Sequence, residues 1–74
     1  MSPVHAIDVC GLPPPEPMMR ILDELHVLPP DESLHVHIHR EPYPLYRLLE
    51  REGYACTTTA RADGTYDLMI RRLG

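Results

Sequence analysis

At 74 residues the chain has room for one hydrophobic core, and a domain of this size buries only about 60% of the surface its unfolded chain exposes. Its formal net charge is −4 at pH 7 and all seven basic residues are arginine, which argues against nucleic acid as a partner, because neutralising phosphates asks for a basic face. No apolar run approaches the length of a membrane span, so no membrane partner is expected.

Val4 to Val9 reads as a short strand, apolar at Val4, Ile7 and Val9, and stopped by Gly11 and Pro13-Pro14-Pro15. A helix follows. Met18, Ile21, Leu22, Leu25 and Leu28 recur at the i, i+3, i+4, i+7 spacing of one buried stripe. Pro15 and Pro17 suit its first turn, where a missing N–H costs nothing, and Pro29-Pro30 ends it. The period then changes to two: in Leu34-His35-Val36-His37-Ile38-His39 apolar residues alternate with histidines, the pattern of a strand with one buried and one open face. Glu41-Pro42-Tyr43-Pro44 opens a second helix with Leu45, Leu48 and Leu49 inward, and Gly53 is placed to end it. Tyr54 to Ala60 is a Thr-rich strand. Asp63-Gly64 signals a hairpin into a last strand, Thr65 to Arg72, with Tyr66, Leu68 and Ile70 on one side. With no Trp and no Phe, the aliphatic residues, Met and Tyr must fill the interior. The expected architecture is an α/β two-layer sandwich of order βαβαββ. Residues 1–74 form one domain, a four-stranded mixed sheet with two helices on one face and the histidines on the other.

The segment Asp8-Val9-Cys10-Gly11-Leu12-Pro13-Pro14-Pro15-Glu16-Pro17 resembles the signature of the TusA/SirA-like sulfur-carrier family: Asp, two residues, Gly, two residues, then Cys-Pro-x-Pro entering the first helix. Asp8, Gly11, Pro15 and Pro17 match it, and the βαβαββ order over roughly Ala6 to Arg72 agrees with the family's fold. Where that family places its persulfide-carrying cysteine, this chain has Pro14, which has no reactive atom. The chain is more similar still to a cysteine-less branch of the superfamily. Pro14-Pro15-Glu16 at the first helix and Pro42-Tyr43-Pro44-Leu45-Tyr46 at the second carry that likeness. This resemblance implies the same fold and an association with hemerythrin-like proteins, hence with metal, nitric-oxide or redox physiology. In that branch an acidic residue and a histidine often precede the second helix, near His39, Arg40 and Glu41 here.

Three sets of residues are candidates for chemistry. His35, His37 and His39 project to one side, with about 6.5–7 Å between neighbours. Two histidines at i, i+2 on a strand can ligate one ion, and imidazole suits zinc, copper, nickel or iron. The row is therefore the candidate site for zinc or another transition metal, with Cys56, Asp67 or Glu41 as a third ligand where strand order brings one near. The plainer alternative is a row of polar residues on a solvated face. Another is a homodimer through the open sheet face, tuned by histidine protonation. The second set is Glu16, Arg40 and Glu41. The resemblance places Arg40 and Glu41 close to the first helix's N-terminus, the natural mouth of a small-ligand site; the alternative is a solvent-exposed ion pair. The third set is the two thiols, Cys10 and Cys56. Met1 to Ala6 show no basic or apolar leader, so a cytoplasmic location with both thiols reduced is expected. The function expected is that of a binding or accessory domain, with a protein partner or a small ligand and without sulfurtransferase chemistry. The alternatives are a metal-binding redox or nitric-oxide accessory using the histidine row, and a residual sulfur carrier through Cys10 or Cys56.

Overall fold

A computed structural model describes residues 4–73; Met1 to Pro3, the start of the segment read for a targeting leader, and Gly74 lie outside the described residues. The elements follow in the expected order: β1 (Val4–Asp8), α1 (Glu16–Val27), β2 (Ser33–Ile38), α2 (Tyr43–Arg51), β3 (Tyr54–Ala60) and β4 (Tyr66–Arg72). Both helices begin among prolines, which supply a preset φ and no orphan N–H. The first ends at Leu28, whose N–H bonds the Leu25 carbonyl at 3.3 Å, before Pro29 and Pro30 withhold any further donor. The second ends through Gly53 at φ +83°. A β-carbon there would meet no neighbouring atom, so glycine is required by the left-handed backbone and not by lack of space.

Within the sheet the strands lie in the order β1-β2-β4-β3. β1 pairs parallel to β2 with Asp8 opposite His37, and β2 pairs antiparallel to β4 with Val36 opposite Leu68 and His37 opposite Asp67. β3 closes the sheet as the antiparallel partner of β4, with Cys56 opposite Ile70. Because side chains alternate along a strand, this register sorts every residue onto one of two faces. Leu34, Val36, Ile38, Leu68 and Ile70 share one face, and they form a single buried cluster with Ile21 and Leu25 of α1 and Leu45 and Leu49 of α2. Both helices therefore cover the same side. The other side carries Ala6, Asp8, His35, His37, Asp67, Met69 and Thr57, and it is open to solvent.

Three strand limits fall one residue short of expectation, and one of them is the start of β4, at Tyr66 and not Thr65. β1 stops at Asp8, although the Val9 N–H still donates to the His37 carbonyl at 2.9 Å and the Val9 side chain is fully buried. β2 stops at Ile38, so His39 belongs to the bend leading into α2 and not to the strand. Among the described residues no helix is long and apolar enough to cross a membrane.

Candidate functional site

His35 and His37 of β2 are half-buried on the open face, whereas His39, in the bend beyond the strand, lines the helix-side cleft; each imidazole has its own partner. His35 Nε2 lies 3.3 Å from Asp67 Oδ1, and that carboxylate also receives Arg61 Nη1 at 3.2 and 3.1 Å. His37 Nε2 is 2.9 Å from Thr65 Oγ1, while its Nδ1 is 3.6 Å from Cys10 Sγ and 3.5 Å from Asp8 Oδ2. His39 Nδ1 accepts the Gly11 N–H at 3.3 Å, pinning the β1–α1 loop to the start of the β2–α2 connection. The row does not converge on one point, because the strand holds neighbouring rings apart and β1 and β4 each claim one of them. Of the third ligands considered with the row, Asp67 lies beside His35 on the open face. Cys56 faces the helices, packed against the core, and Glu41 stands at the start of α2. The set of metal-binding groups that does converge among the described residues is Asp8, Cys10 and His37, with one donor atom from each all within 4.8 Å of one another.

Both thiols are held in the protonated form. Burial pushes the Cys10 thiol up from its ordinary value, and the Asp8 carboxylate adds to this through a hydrogen bond and its charge; Asp63 contributes in the same sense and Arg61 against it. Burial also pushes Cys56 up, with the Thr58 hydroxyl partly offsetting it. Asp8 is held below the usual carboxylate range, first by the Cys10 N–H donated to its Oδ1 at 2.9 Å and then by the thiol.

On the helix side a cleft of about 360 Å³ opens between the start of α1 and the β2–α2 connection. Pro14, Pro15, Pro17 and Met18 form one wall, His39, Arg40, Glu41 and Pro42 the other, and Leu12, Ile21 and Ile38 lie at its base. Arg40 and Glu41 are thus brought to the mouth of α1, but Glu16 is not. It is exposed on the first residue of α1 and borders a separate shallow groove with Leu12, Met19, Arg20 and Asp23. Nor do Arg40 and Glu41 form an ion pair. The Glu41 carboxylate accepts the Tyr43 hydroxyl at 2.8 Å and the Tyr46 hydroxyl at 3.0 Å, whereas Arg40 has no ion pair or side-chain hydrogen bond among the described residues. Tyr46 also reaches Thr58 Oγ1 at 2.6 Å. Burial above all, with the Glu41 carboxylate beside it, pushes the Tyr46 phenol up to about 12 from 10.0, against the Thr58 hydrogen bond. A raised value of this kind stabilises the fold fully below the ordinary tyrosine range, and the contribution drains away as pH climbs from about 10 towards 12. An ultraviolet titration should accordingly show a late phenol ionisation that Tyr46→Phe removes; an unchanged curve would place the late group elsewhere.

Sequence comparison bears on the same residues. The profile of the family described as "Uncharacterized conserved protein (DUF2249)" matches residues 6–72, which includes the site's Asp8, Cys10, the cleft and the whole histidine strand. The chain belongs to the DUF2249 family. No functionally curated protein matches it. Among solved structures, the SirA-like protein from Desulfitobacterium hafniense is similar to this DUF2249 domain with a TM-score of 0.82 at 20% identity, over 97% of this chain and 100% of that one. At that identity the likeness establishes the SirA-like fold: a four-stranded mixed sheet with two helices, in the order βαβαββ. In this DUF2249 domain Pro14 stands exposed at the rim of the cleft, where the resemblance to sulfur carriers puts the carrier cysteine.

Proposed function

We propose that this DUF2249 domain is a cytoplasmic binding or accessory module that keeps the SirA-like scaffold without its sulfur-carrier chemistry. Its ligand is a small molecule with an apolar body and an anionic group, received in the cleft between the starts of α1 and α2. The observation that carries this reading is the unpartnered Arg40 guanidinium on the wall facing Pro14 in an otherwise largely apolar cleft. An arginine with no internal partner is free to take a carboxylate in a bidentate, charge-assisted pair. The prolines that line the wall add apolar surface without N–H donors. Relay of sulfur is disfavoured because Pro14 offers no nucleophile and burial keeps both remaining thiols protonated. The cysteine-less branch that the sequence resembles, with its hemerythrin-like neighbours, supports an accessory role beside a metal-containing protein partner. The acidic net charge of −4 supports a partner other than nucleic acid.

Thermal unfolding in the presence of aliphatic and aromatic carboxylates tests the cleft. At least one should raise Tm, and Arg40→Gln should weaken its binding by about 10–100-fold, the worth of a charged hydrogen bond. Arg47→Gln, on the exposed surface of α2, should leave it unchanged. A rise indifferent to Arg40, or none across the set, sinks the reading. In a separate experiment, incubation with a cysteine desulfurase and cysteine should leave the intact mass of the chain unaltered. A covalently added sulfur would restore the carrier alternative.

A further inference from the structure

The open face of the sheet carries a second arrangement, on the opposite side from the cleft and independent of it. We propose that Asp8, Cys10 and His37 form a binding site for a borderline divalent transition ion of the zinc type, with the fourth coordination position open to solvent.

The tautomer of His37 can be read from its neighbours. Thr65 has one hydroxyl proton, and its Oγ1 donates to Asp63 Oδ1, an ionised carboxylate that can only accept. The Thr65 oxygen must then accept from His37, so the proton of the neutral ring sits on Nε2 and the lone pair on Nδ1. That lone pair points at Cys10 Sγ and Asp8 Oδ2. A hydroxyl fixed by a carboxylate and holding the far N–H of an imidazole is the outer support that orients histidine ligands in metal sites.

The spacing is compatible with coordination. Bonds of about 2.3 Å to sulfur and 2.0–2.1 Å to nitrogen or oxygen, at tetrahedral angles, put the donor atoms roughly 3.3–3.6 Å apart. The separations from Nδ1 are 3.6 Å to Sγ and 3.5 Å to Oδ2. The second is long for a hydrogen bond between an imidazole and a carboxylate. The backbone also holds the three groups in place before any ion arrives. Asp8 and His37 face each other across the parallel β1–β2 pair, and the Val9 N–H extends that pairing to the His37 carbonyl. The other Asp8 oxygen is fixed by the Cys10 N–H at 2.9 Å.

A thiol, an imidazole and a carboxylate together favour zinc, cobalt(II) or iron(II) over magnesium or calcium, which want oxygen alone. On binding, the Cys10 S–H bond breaks, its proton passes to solvent, and the thiolate pair forms the bond to the metal; His37 binds through Nδ1 as the neutral ring and Asp8 as the carboxylate. Three protein ligands with one open position leave room for water, a small anion or a side chain from a partner.

Untagged, metal-free chain titrated with cobalt(II) tests the assignment. Expected are intense visible bands of a tetrahedral ion and a near-ultraviolet thiolate-to-cobalt band, both displaced by zinc. Cys10→Ser should abolish the near-ultraviolet band and Cys56→Ser should keep it. His37→Gln and Asp8→Asn should each weaken binding at least tenfold, and Thr65→Val by about 10–100-fold through the ring it orients. His35→Gln should change affinity less than twofold, with circular dichroism reporting that each variant is folded. The proposal is overturned if no thiolate band appears, if the band survives Cys10→Ser, or if His35→Gln weakens binding as much as His37→Gln.

Discussion

Leu34→Ala is expected to remove about 2–5 kcal/mol of stability, read as a lower urea midpoint at unchanged slope. Leu34 is fully buried in β2, facing both helices, and sits opposite Ile70 in the sheet. Truncation would forfeit its burial and leave a hole that neighbours on a hydrogen-bonded sheet can only partly close. Domains of this size hold of order 5–10 kcal/mol in total, so a large share of the molecules would unfold on mild heating. The informative control lies one strand over on the opposite face. Met69 is 38% exposed and stands beside His35 in the register, and Met69→Ala should cost no more than about 0.5 kcal/mol. Similar losses from the two variants would mean that the open face is covered in solution, as by a second copy of the chain, and the one-sided architecture would have to be revised.

The contrast between Leu34 and Met69 also marks what could be read from the chain alone. Local periodicity carries the face of each residue along its own element, so the stripe from Met18 to Leu28 and the alternation from Leu34 to His39 specify α1 and β2 nearly to the residue. Lateral neighbours are another matter. That β4 lies between β2 and β3, and that Asp8 stands opposite His37, depends on pairings between segments far apart in sequence. For this reason the histidines were legible as a row, but Asp8, Cys10 and Thr65 were not legible as partners of one of them. The i, i+2 spacing of Asp8 and Cys10 at the end of a strand was the one available hint. Helical phase explains why Glu16 stands apart from the cleft. At 3.6 residues per turn it lies about 140° around α1 from Ile21, away from the buried stripe, whereas Pro17 lies about 40° from it and does line the cleft. The face of Cys56 could not be read directly, because the Thr-rich β3 has no clear alternation; it follows from the hairpin register, which sets Cys56 opposite buried Ile70.

Pro14→Cys would rebuild Cys-Pro-x-Pro across positions 14–17 and should give the chain a thiol of a kind it does not now possess. Two residues ahead of Glu16, the first residue of α1, that thiol would stand beside the positive partial charges at the start of the helix, which favour an anion. If they bring its pKa to about 6.5 from an ordinary 8.5, the thiolate fraction at pH 6.5 rises roughly fiftyfold, from about 1% to about half. The lower nucleophilicity of a more acidic thiol takes back roughly tenfold, leaving a net gain of about fivefold over an ordinary thiol. Cys10 and Cys56 are slower than an ordinary thiol because burial pushes both up. Alkylation of the variant at mildly acidic pH should therefore run about tenfold or more ahead of the two native positions, resolved by peptide mass. Glu16 opposes the effect through its charge, so adding Glu16→Gln should raise the rate further. A fast new thiol would mean that the start of α1 supplies the electrostatics a nucleophilic thiol needs and that only the side chain at position 14 is missing. A new thiol no faster than Cys56 would mean that the start of α1 does not lower the pKa of a thiol placed there, so that the scaffold lacks the electrostatics as well as the cysteine.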